Sequence, residues 1–169
     1  MAFIEKFLGN RVEIPEDRRY HVKQGLWAKP ENQAIVFGLT EPALVLIGGV
    51  NDIDWLVQED KTVVEREDVV FAITGKIMYL HTPVKGAIQF NPEIKQNPSV
   101  VGNDPYDNGW LFKIRPDTPL ESILGSFADA HGYIDNLKKS EGCKNPEGLK
   151  GGVSSICKAV YSGIREQKI

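Results

Sequence analysis

Residues 68–81 read DVVFAITGKIMYLH, and this stretch decides the fold class. Two runs rich in β-branched and aromatic residues flank Gly75 and Lys76, which favours two antiparallel strands joined by a tight turn. A lysine at such a turn holds its amine away from the body of the domain. Taken alone, the pattern favours an ordinary solvated turn lysine. The same geometry is the one needed to carry a covalently attached acyl arm, and the rest of the chain decides between the two.

Short strands separated by turns extend on both sides of this hairpin. The predicted strands are residues 20–28, 33–39, 53–57, 69–74, 77–81, 86–90 and 110–114. A helix that Thr40 caps and that ends before Gly48 interrupts them, and a single helical turn is expected at 91–94. Strands of this length and spacing predict an antiparallel barrel or sandwich.

Apolar residues at helical spacing predict helices at both ends of the chain. The N-terminal set, which predicts a short docking helix ending at Gly9, is Phe3, Ile4, Phe7 and Leu8. The N-terminus of a longer helix is predicted by a capping Thr118, by Pro119 at the first helical position and by Glu121 as the capping-box residue. Its apolar stripe is Leu120, Ile123, Leu124, Phe127, His131, Ile134 and Leu137. A last helix is predicted from a second stripe, Val153, Ile156, Cys157, Val160, Tyr161 and Ile164.

These patterns divide the chain into three parts: an N-terminal helix and lead-in at 1–19, a β domain at 20–116, and a C-terminal helical extension at 117–169. The hydrophobic fraction of 41% and the charged fraction of 25% are those of an ordinary globular protein. A net charge of −3 provides no basic surface for nucleic acid. No apolar run is long enough to span a membrane or to form a signal peptide, so we expect a cytoplasmic protein.

The sequence NPSVVGNDPYDNGWLFKI at 97–114 resembles the glycine cleavage H protein family. Further pieces follow in the family's order, namely Trp27, FGLT at 37–40, GGV at 48–50 and PVKG at 83–86. The resemblance covers about 20–116 and implies a lipoyl/biotinyl-type barrel-sandwich hybrid with flanking helices. The matching residues are turn formers and core side chains, so we expect them to build the fold rather than to perform chemistry.

The resemblance implies that Lys76 carries a lipoyl group in amide linkage, with Gly75 easing the turn and His81 a candidate contact for the arm. The family usually places its lysine eight residues before a proline, whereas Lys76 lies seven residues before Pro83. A turn shortened by one residue explains this difference, and loss of lipoylation is the competing explanation. Biotin is disfavoured because biotin carriers typically have Met on both sides of the lysine, where this chain has Gly75 and Ile77.

The implied function is that of a carrier, and the chain contains no Ser–His–Asp set, phosphate loop or carboxylate pair that would make it an enzyme. The arm would take an aminomethyl group from glycine decarboxylase (P protein) to aminomethyltransferase (T protein). Dihydrolipoyl dehydrogenase would reoxidise it, and lipoate ligase or lipoyl synthase would install it. Two alternatives remain open. One is an H-like lipoate-binding protein of a heterodisulfide-reductase-like sulfur-oxidation complex, and the other is an unlipoylated interaction module.

The two cysteines, Cys143 and Cys157, lie outside the region of resemblance. Cys157 falls on an apolar stripe, which favours a buried thiol, while Cys143 lies in a Gly/Pro-rich loop and is expected to be more exposed. They are either an unreactive pair or a redox-active dithiol. Two thiols without histidines at ligand spacing do not form a zinc site.

Overall fold

The computed structural model describes residues 2–47, 50, 52–56, 63–65, 68–74 and 78–139. The strands are β1 Ala2–Phe7, β2 Asn10–Ile14, β3 Arg19–His21, β4 Leu26–Glu31, β5 Ala34–Leu39, β6 Asp52–Trp55, β7 Val63–Val64, β8 Val69–Thr74, β9 Met78–His81, β10 Gly86–Phe90 and β11 Phe112–Arg115. The helices are α1 Glu41–Ile47, α2 Glu93–Gln96, α3 Ser99–Asn103, α4 Leu120–Gly125 and α5 Ala130–Lys138.

The strands form a six-stranded sheet in the order β3-β4-β5-β11-β10-β7, a three-stranded sheet in the order β6-β8-β9, and a separate β1-β2 hairpin. All pairs between the described strands are antiparallel. The predicted fold class, mainly β with flanking helices, is therefore confirmed. The predicted single turn at 91–94 is confirmed by α2, while the sequence patterns missed α3, β2 and β7.

Side chains along β5 alternate between the two faces of the six-stranded sheet, and both faces are covered. Ile35, Phe37 and Leu39 are fully buried in the core between the two sheets, where the Phe37 ring stacks on Phe112 at 5.1 Å. Val36 points to the opposite face, into a second cluster that contains Trp27. The three-stranded sheet thus sits on a continuous apolar layer.

The predicted N-terminal helix is wrong, because residues 2–14 form the β1-β2 hairpin. Phe7 pairs with Asn10, so the turn consists of Leu8 and Gly9, which have φ of 51° and 80°. Positive φ at both central residues gives the two-residue turn whose twist matches antiparallel strands. The buried face of the hairpin, Phe7, Val12 and Ile14, supplies the packing that overrides the short helical pattern.

The predicted strand 20–28 is two strands, β3 and β4, joined by a turn. Gly25 allows this turn, because its φ is +67° and a Cβ there would lie 2.7 Å from the Cβ of Ala43. The turn brings Gln24 inward, where it is 3% exposed. The reversal therefore places a buried polar side chain beside the three-stranded sheet.

The predicted long helix after Pro116 is two helices, and Thr118 does not cap the first of them. Helix α4 begins after Pro119 and has no side-chain hydrogen bond at its N-terminus. The chain then leaves the helix so that Ala128 can pair with Tyr20 through two backbone hydrogen bonds of 2.8 and 3.0 Å. Asp129 caps α5 by accepting from the amide of Gly132 at 2.8 Å.

His131, which the helical stripe placed on the packed face, is exposed in α5. Tyr133 takes the buried position instead, stacking on Tyr20 at 4.9 Å and hydrogen bonding to Thr40 through its hydroxyl at 2.8 Å. The helix break shifts the phase of the stripe, which is why a single continuous pattern placed the histidine wrongly. The last predicted helix lies outside the described residues.

The predicted helix at 40–47 is confirmed by α1, and the Thr40 hydroxyl accepts from the amide of Ala43 at 3.3 Å. Tyr106 links this helix to the N-terminal hairpin: its hydroxyl accepts from the amide of Glu41 at 3.0 Å and donates to the carbonyl of Glu13. Burial raises the pKa of the Glu41 carboxyl, which accepts from the amide of Glu13 at 2.9 Å. These contacts give Tyr106 a structural role.

Candidate functional site

The hairpin of β8 and β9 holds the position that the sequence singles out. Phe71 pairs with Leu80, Ala72 with Tyr79, and Ile73 with Met78. Four residues, 74–77, therefore separate the last pair among the described residues. Gly75 and Lys76 belong to this connection and lie outside the described residues, so their role stays a prediction.

The hairpin rests on a firm base. Strand β8 lies in the middle of the three-stranded sheet, and Asp52 of β6 pairs with Thr74 at the end of β8. Ile53, Val70 and Leu80, one from each strand, are 0–2% exposed and belong to the main core. Because each strand is anchored by a buried side chain, β8 and β9 form a rigid support up to the residues where the connection between them begins.

Gln24 holds the far end of β9 in place. Its side-chain oxygen accepts from the amide of His81 at 2.8 Å, and its side-chain nitrogen donates to the carbonyl of His81 at 2.8 Å. Strand β9 is at the edge of its sheet, so its outward backbone groups need partners from elsewhere. The buried amide of Gln24 supplies those partners as a neighbouring strand would.

The residues after β9 are fixed in the same way. The amide of Thr82 donates to the carbonyl of Asp68 at 2.9 Å. The buried hydroxyl of Thr82 donates to the carbonyl of Val84 at 2.7 Å and accepts from the amide of Val84 at 3.3 Å. Lys85, at the end of this turn, forms an exposed ion pair with Glu65 at 3.4 Å. The turn at 82–85 is therefore part of the rigid support.

His81 is half-buried at the end of β9 that is remote from the connection. It lies three residues beyond Met78, which corresponds to about 10 Å along a strand. The structure brings its backbone to Gln24, and a role of its ring as a contact for the arm stays a prediction. Cys143 and Cys157 lie outside the described residues.

Sequence reasoning missed Gln24. Its hydrogen-bonding partner lies 57 positions away along the chain, so no local spacing connects the two. The only local signal is the Gly25 turn, which the strand prediction passed over. A buried side chain that bonds a backbone edge becomes visible only when the fold is known.

We expect Gln24→Ala to lower the free energy of unfolding by about 2 kcal/mol, because two partly buried backbone groups of His81 lose their partners. Amide hydrogen exchange should accelerate at His81 and Thr82 before it does elsewhere in the sheet. Urea denaturation and exchange measured by NMR test both expectations. Gln89→Ala is the matched control, since Gln89 is an exposed glutamine on a strand. Equal losses in the two variants would contradict the role of Gln24.

The described part of the chain holds neither a group of metal ligands nor a membrane-spanning helix. None of its side chains form a group of three or more His, Cys, Asp or Glu that could hold a metal ion. No helix in the same part is long and apolar enough to cross a membrane.

Comparison with known proteins places these features in a family. The sequence model of the family described as "Glycine cleavage H-protein" matches residues 18–140. Glycine cleavage system H protein 5 of Aquifex aeolicus is 32% identical over 148 residues, covering 80% of this chain and 96% of the relative. A glycine cleavage system H protein of Thermus thermophilus is 30% identical over 130 residues, covering 75% of this chain and 98% of the relative.

The fold agrees with that of a solved structure. The crystal structure of a glycine cleavage system H protein from Mycobacterium marinum superposes with a TM-score of 0.56 at 21% identity. The similarity covers 73% of this chain and 98% of that one. The matched range of the family model also includes α4 and α5, and it ends before Cys143.

Proposed function

The chain belongs to the glycine cleavage H-protein family, and from this membership we propose that it is a non-catalytic lipoyl carrier whose arm is attached to Lys76. The observation that carries the proposal is the position of this lysine in the short connection between β8 and β9. An acyl arm needs an amine that a ligase can reach and a base that does not move. The anchored strands on either side supply that base.

The residues of this chain would position the arm, and its partners would catalyse. A bound lipoyl group supplies a dithiolane that can be reduced, loaded and reoxidised. Ile53, Val70 and Leu80 hold the hairpin on the core, and Gln24 keeps the edge strand from fraying. The carrier would accept the aminomethyl group of glycine at glycine decarboxylase (P protein) and deliver it at aminomethyltransferase (T protein). It would then meet dihydrolipoyl dehydrogenase for reoxidation.

A second candidate uses the same arm with a different cargo. Lys76 lies seven residues before Pro83, one fewer than is usual in the family, and a segment with two cysteines follows the matched range. Both features depart from a dedicated aminomethyl carrier. They favour, as the alternative, a lipoate-binding protein that serves a heterodisulfide-reductase-like sulfur-oxidation complex.

Coexpression with a lipoate ligase, followed by intact-mass measurement, tests whether the chain is a carrier at all. We expect one lipoyl group per chain, and no mass change when the coexpressed ligase is inactive. An unmodified chain beside a known H protein that the same ligase modifies would contradict the proposal and favour an unlipoylated interaction module. The lipoylated chain is then assayed for glycine–bicarbonate exchange with P protein. Exchange supports the aminomethyl cargo, and a lipoylated but inactive chain favours the sulfur alternative.

A further inference from the structure

One face of the three-stranded sheet packs on the main core, and the opposite face points away from it. Along β6 and the residue that follows it, Ile53 is 2% exposed and belongs to the core, whereas Asp54 and Leu56 fall on the alternate positions and are exposed. Asp54 pairs with Ala72, which pairs with Tyr79, so these three side chains lie in one row on the face opposite to the core. We call this surface the outer face, and its residues are Asp52, Asp54, Leu56, Ala72 and Tyr79.

Two large apolar side chains are exposed on the outer face. Leu56 is 44% exposed and Tyr79 is 39% exposed, and the only other exposed large hydrophobic residue in the described part of the chain is Phe3. Strand β9 lies two strand spacings from β6, about 10 Å, so one partner surface can cover both side chains. Exposed apolar side chains that share one face mark an interaction site, whereas single ones are ordinary. The outer face is therefore a candidate contact surface.

The charged side chains of these strands have one sign. The described strands β6, β8 and β9 contain no lysine or arginine, and Asp52 and Asp54 are both exposed. The histidine of these strands, His81, is half-buried. Lys85, in the turn after β9, is paired with Glu65 at 3.4 Å. A partner that fits the outer face has an apolar centre and basic side chains at its rim.

The enzyme that installs the arm needs a surface of this kind. A lipoate ligase acts on a chain that carries no arm yet, so it can recognise only the amine and the protein around it. The amine alone does not single out Lys76, because the side chains of Lys29 and Lys85 are 48% and 56% exposed. Asp52 pairs with Thr74, after which the connection that contains Lys76 begins. Since the other face of the sheet is buried in the core, the outer face is the accessible surface of the strands that lead to this connection.

We propose that a lipoate ligase selects Lys76 by docking on the outer face, with Tyr79 and Leu56 in the apolar centre of the contact and Asp54 facing basic side chains of the enzyme. This inference rests on the proposed function, because it names how the partner that attaches the arm recognises the chain. The ligase activates the carboxyl group of lipoate with ATP as an acyl-adenylate. The neutral amine of Lys76 then attacks the acyl carbon, the amide C–N bond forms as the C–O bond to AMP breaks, and the amine loses one proton. The outer face takes no part in these bonds and contributes binding alone.

Initial rates of lipoylation, measured by intact mass over a range of concentrations of the unmodified full chain with ligase, ATP and lipoate, test the apolar contact. We expect the double variant Leu56→Thr, Tyr79→Thr to raise the KM for the chain at least about tenfold and to keep kcat within about twofold. The reason is that removal of the apolar anchors weakens docking but leaves the chemistry unchanged. Threonine retains strand propensity and both side chains are exposed, so the urea midpoint should stay close to that of the wild type.

Phe3→Thr is the matched control, because it removes the third exposed large apolar side chain, which lies in the β1-β2 hairpin. It should leave KM and kcat within about twofold of the wild type. A double variant with the KM of the wild type, or one that lowers kcat at unchanged KM, would overturn the docking surface while the wild-type chain still becomes lipoylated. A wild-type chain that the ligase leaves unmodified would instead contradict the proposed function, and this inference with it.

Asp54→Asn tests the charge of the outer face separately. We expect it to raise the KM for the chain about threefold at low salt and to make KM depend less steeply on salt concentration, because a rim charge acts through screened attraction. Asp135→Asn is the matched control, since Asp135 is an exposed carboxylate on α5, which packs on the six-stranded sheet. It should keep the KM and the salt dependence of the wild type. A salt dependence that is the same in Asp54→Asn and the wild type would contradict the role of this carboxylate in docking.

Discussion

Replacement of Lys76 by alanine is expected to abolish lipoylation completely while leaving the free energy of unfolding within about 0.5 kcal/mol of the wild type. The amide bond to lipoate requires the lysine amine, and the sequence pattern places this residue in a turn rather than in the core. Intact mass after coexpression with the ligase measures the first effect, and urea denaturation measures the second.

Lys76→Arg and Lys85→Ala are the controls for this prediction. The arginine keeps the positive charge but cannot form the amide, so it should remain unmodified. Lys85 pairs with Glu65 at the edge of the 82–85 turn and should be dispensable for modification. A lipoyl group that persists in Lys76→Ala, or that disappears in Lys85→Ala, would show that the attachment site is elsewhere.

The β core could be predicted from sequence because its signals are local. Along β5, Ile35, Phe37 and Leu39 alternate with residues of the opposite face, and the Thr40 cap fixes the start of α1. A period of two and a capping residue can both be recognised within a few positions. The hairpin that carries Lys76 was recognisable for the same reason, since its two strands adjoin the turn.

The remaining elements depend on contacts between distant residues. A helical pattern over two turns is present at Phe3, Ile4, Phe7 and Leu8. The chain forms a hairpin there instead, and the hairpin buries Phe7 in the second cluster. The break between α4 and α5 follows from the pairing of Ala128 with Tyr20. Neither contact leaves a signal in its own stretch of sequence, so tertiary packing overrides the local pattern.

Contacts between distant residues also explain why separate pieces of the family resemblance occur together. Trp27 and the 104–106 turn are far apart in sequence, yet the indole nitrogen of Trp27 donates to the carbonyl of Pro105 at 2.8 Å. The guanidinium of Arg18 lies 4.8 Å from the centre of the Trp27 ring and donates to the carbonyl of Tyr106 at 2.7 Å. These contacts fix the indole on the face of the sheet opposite to the main core.

Gly38 lies directly opposite Trp27 in the β4–β5 pair, and the ring covers it. A Cβ at position 38 would lie 2.5 Å from two atoms of the indole, closer than packed atoms approach. The ring cannot withdraw without losing its hydrogen bond to Pro105, and it is only 2% exposed. Overpacking of a core position typically costs about 1–3 kcal/mol. We place Gly38→Ala near the upper end, at about 3 kcal/mol, because the displaced group is both large and hydrogen-bonded.

Urea denaturation of Gly38→Ala should therefore show a lower midpoint with an unchanged slope, since the variant loses stability and not compactness. Gly102→Ala is the matched control, because a Cβ at position 102 in α3 meets no atom within 4 Å. Its stability should stay within about 1 kcal/mol of the wild type, since alanine is the better helix former. The indole is held by Pro105 and Arg18, so room for a methyl group would require both contacts to shift. A Gly38→Ala variant as stable as Gly102→Ala would mean that Trp27 is free to move. The contacts between Trp27 and the 104–106 turn would then not hold the indole in place on the face of the sheet opposite to the main core.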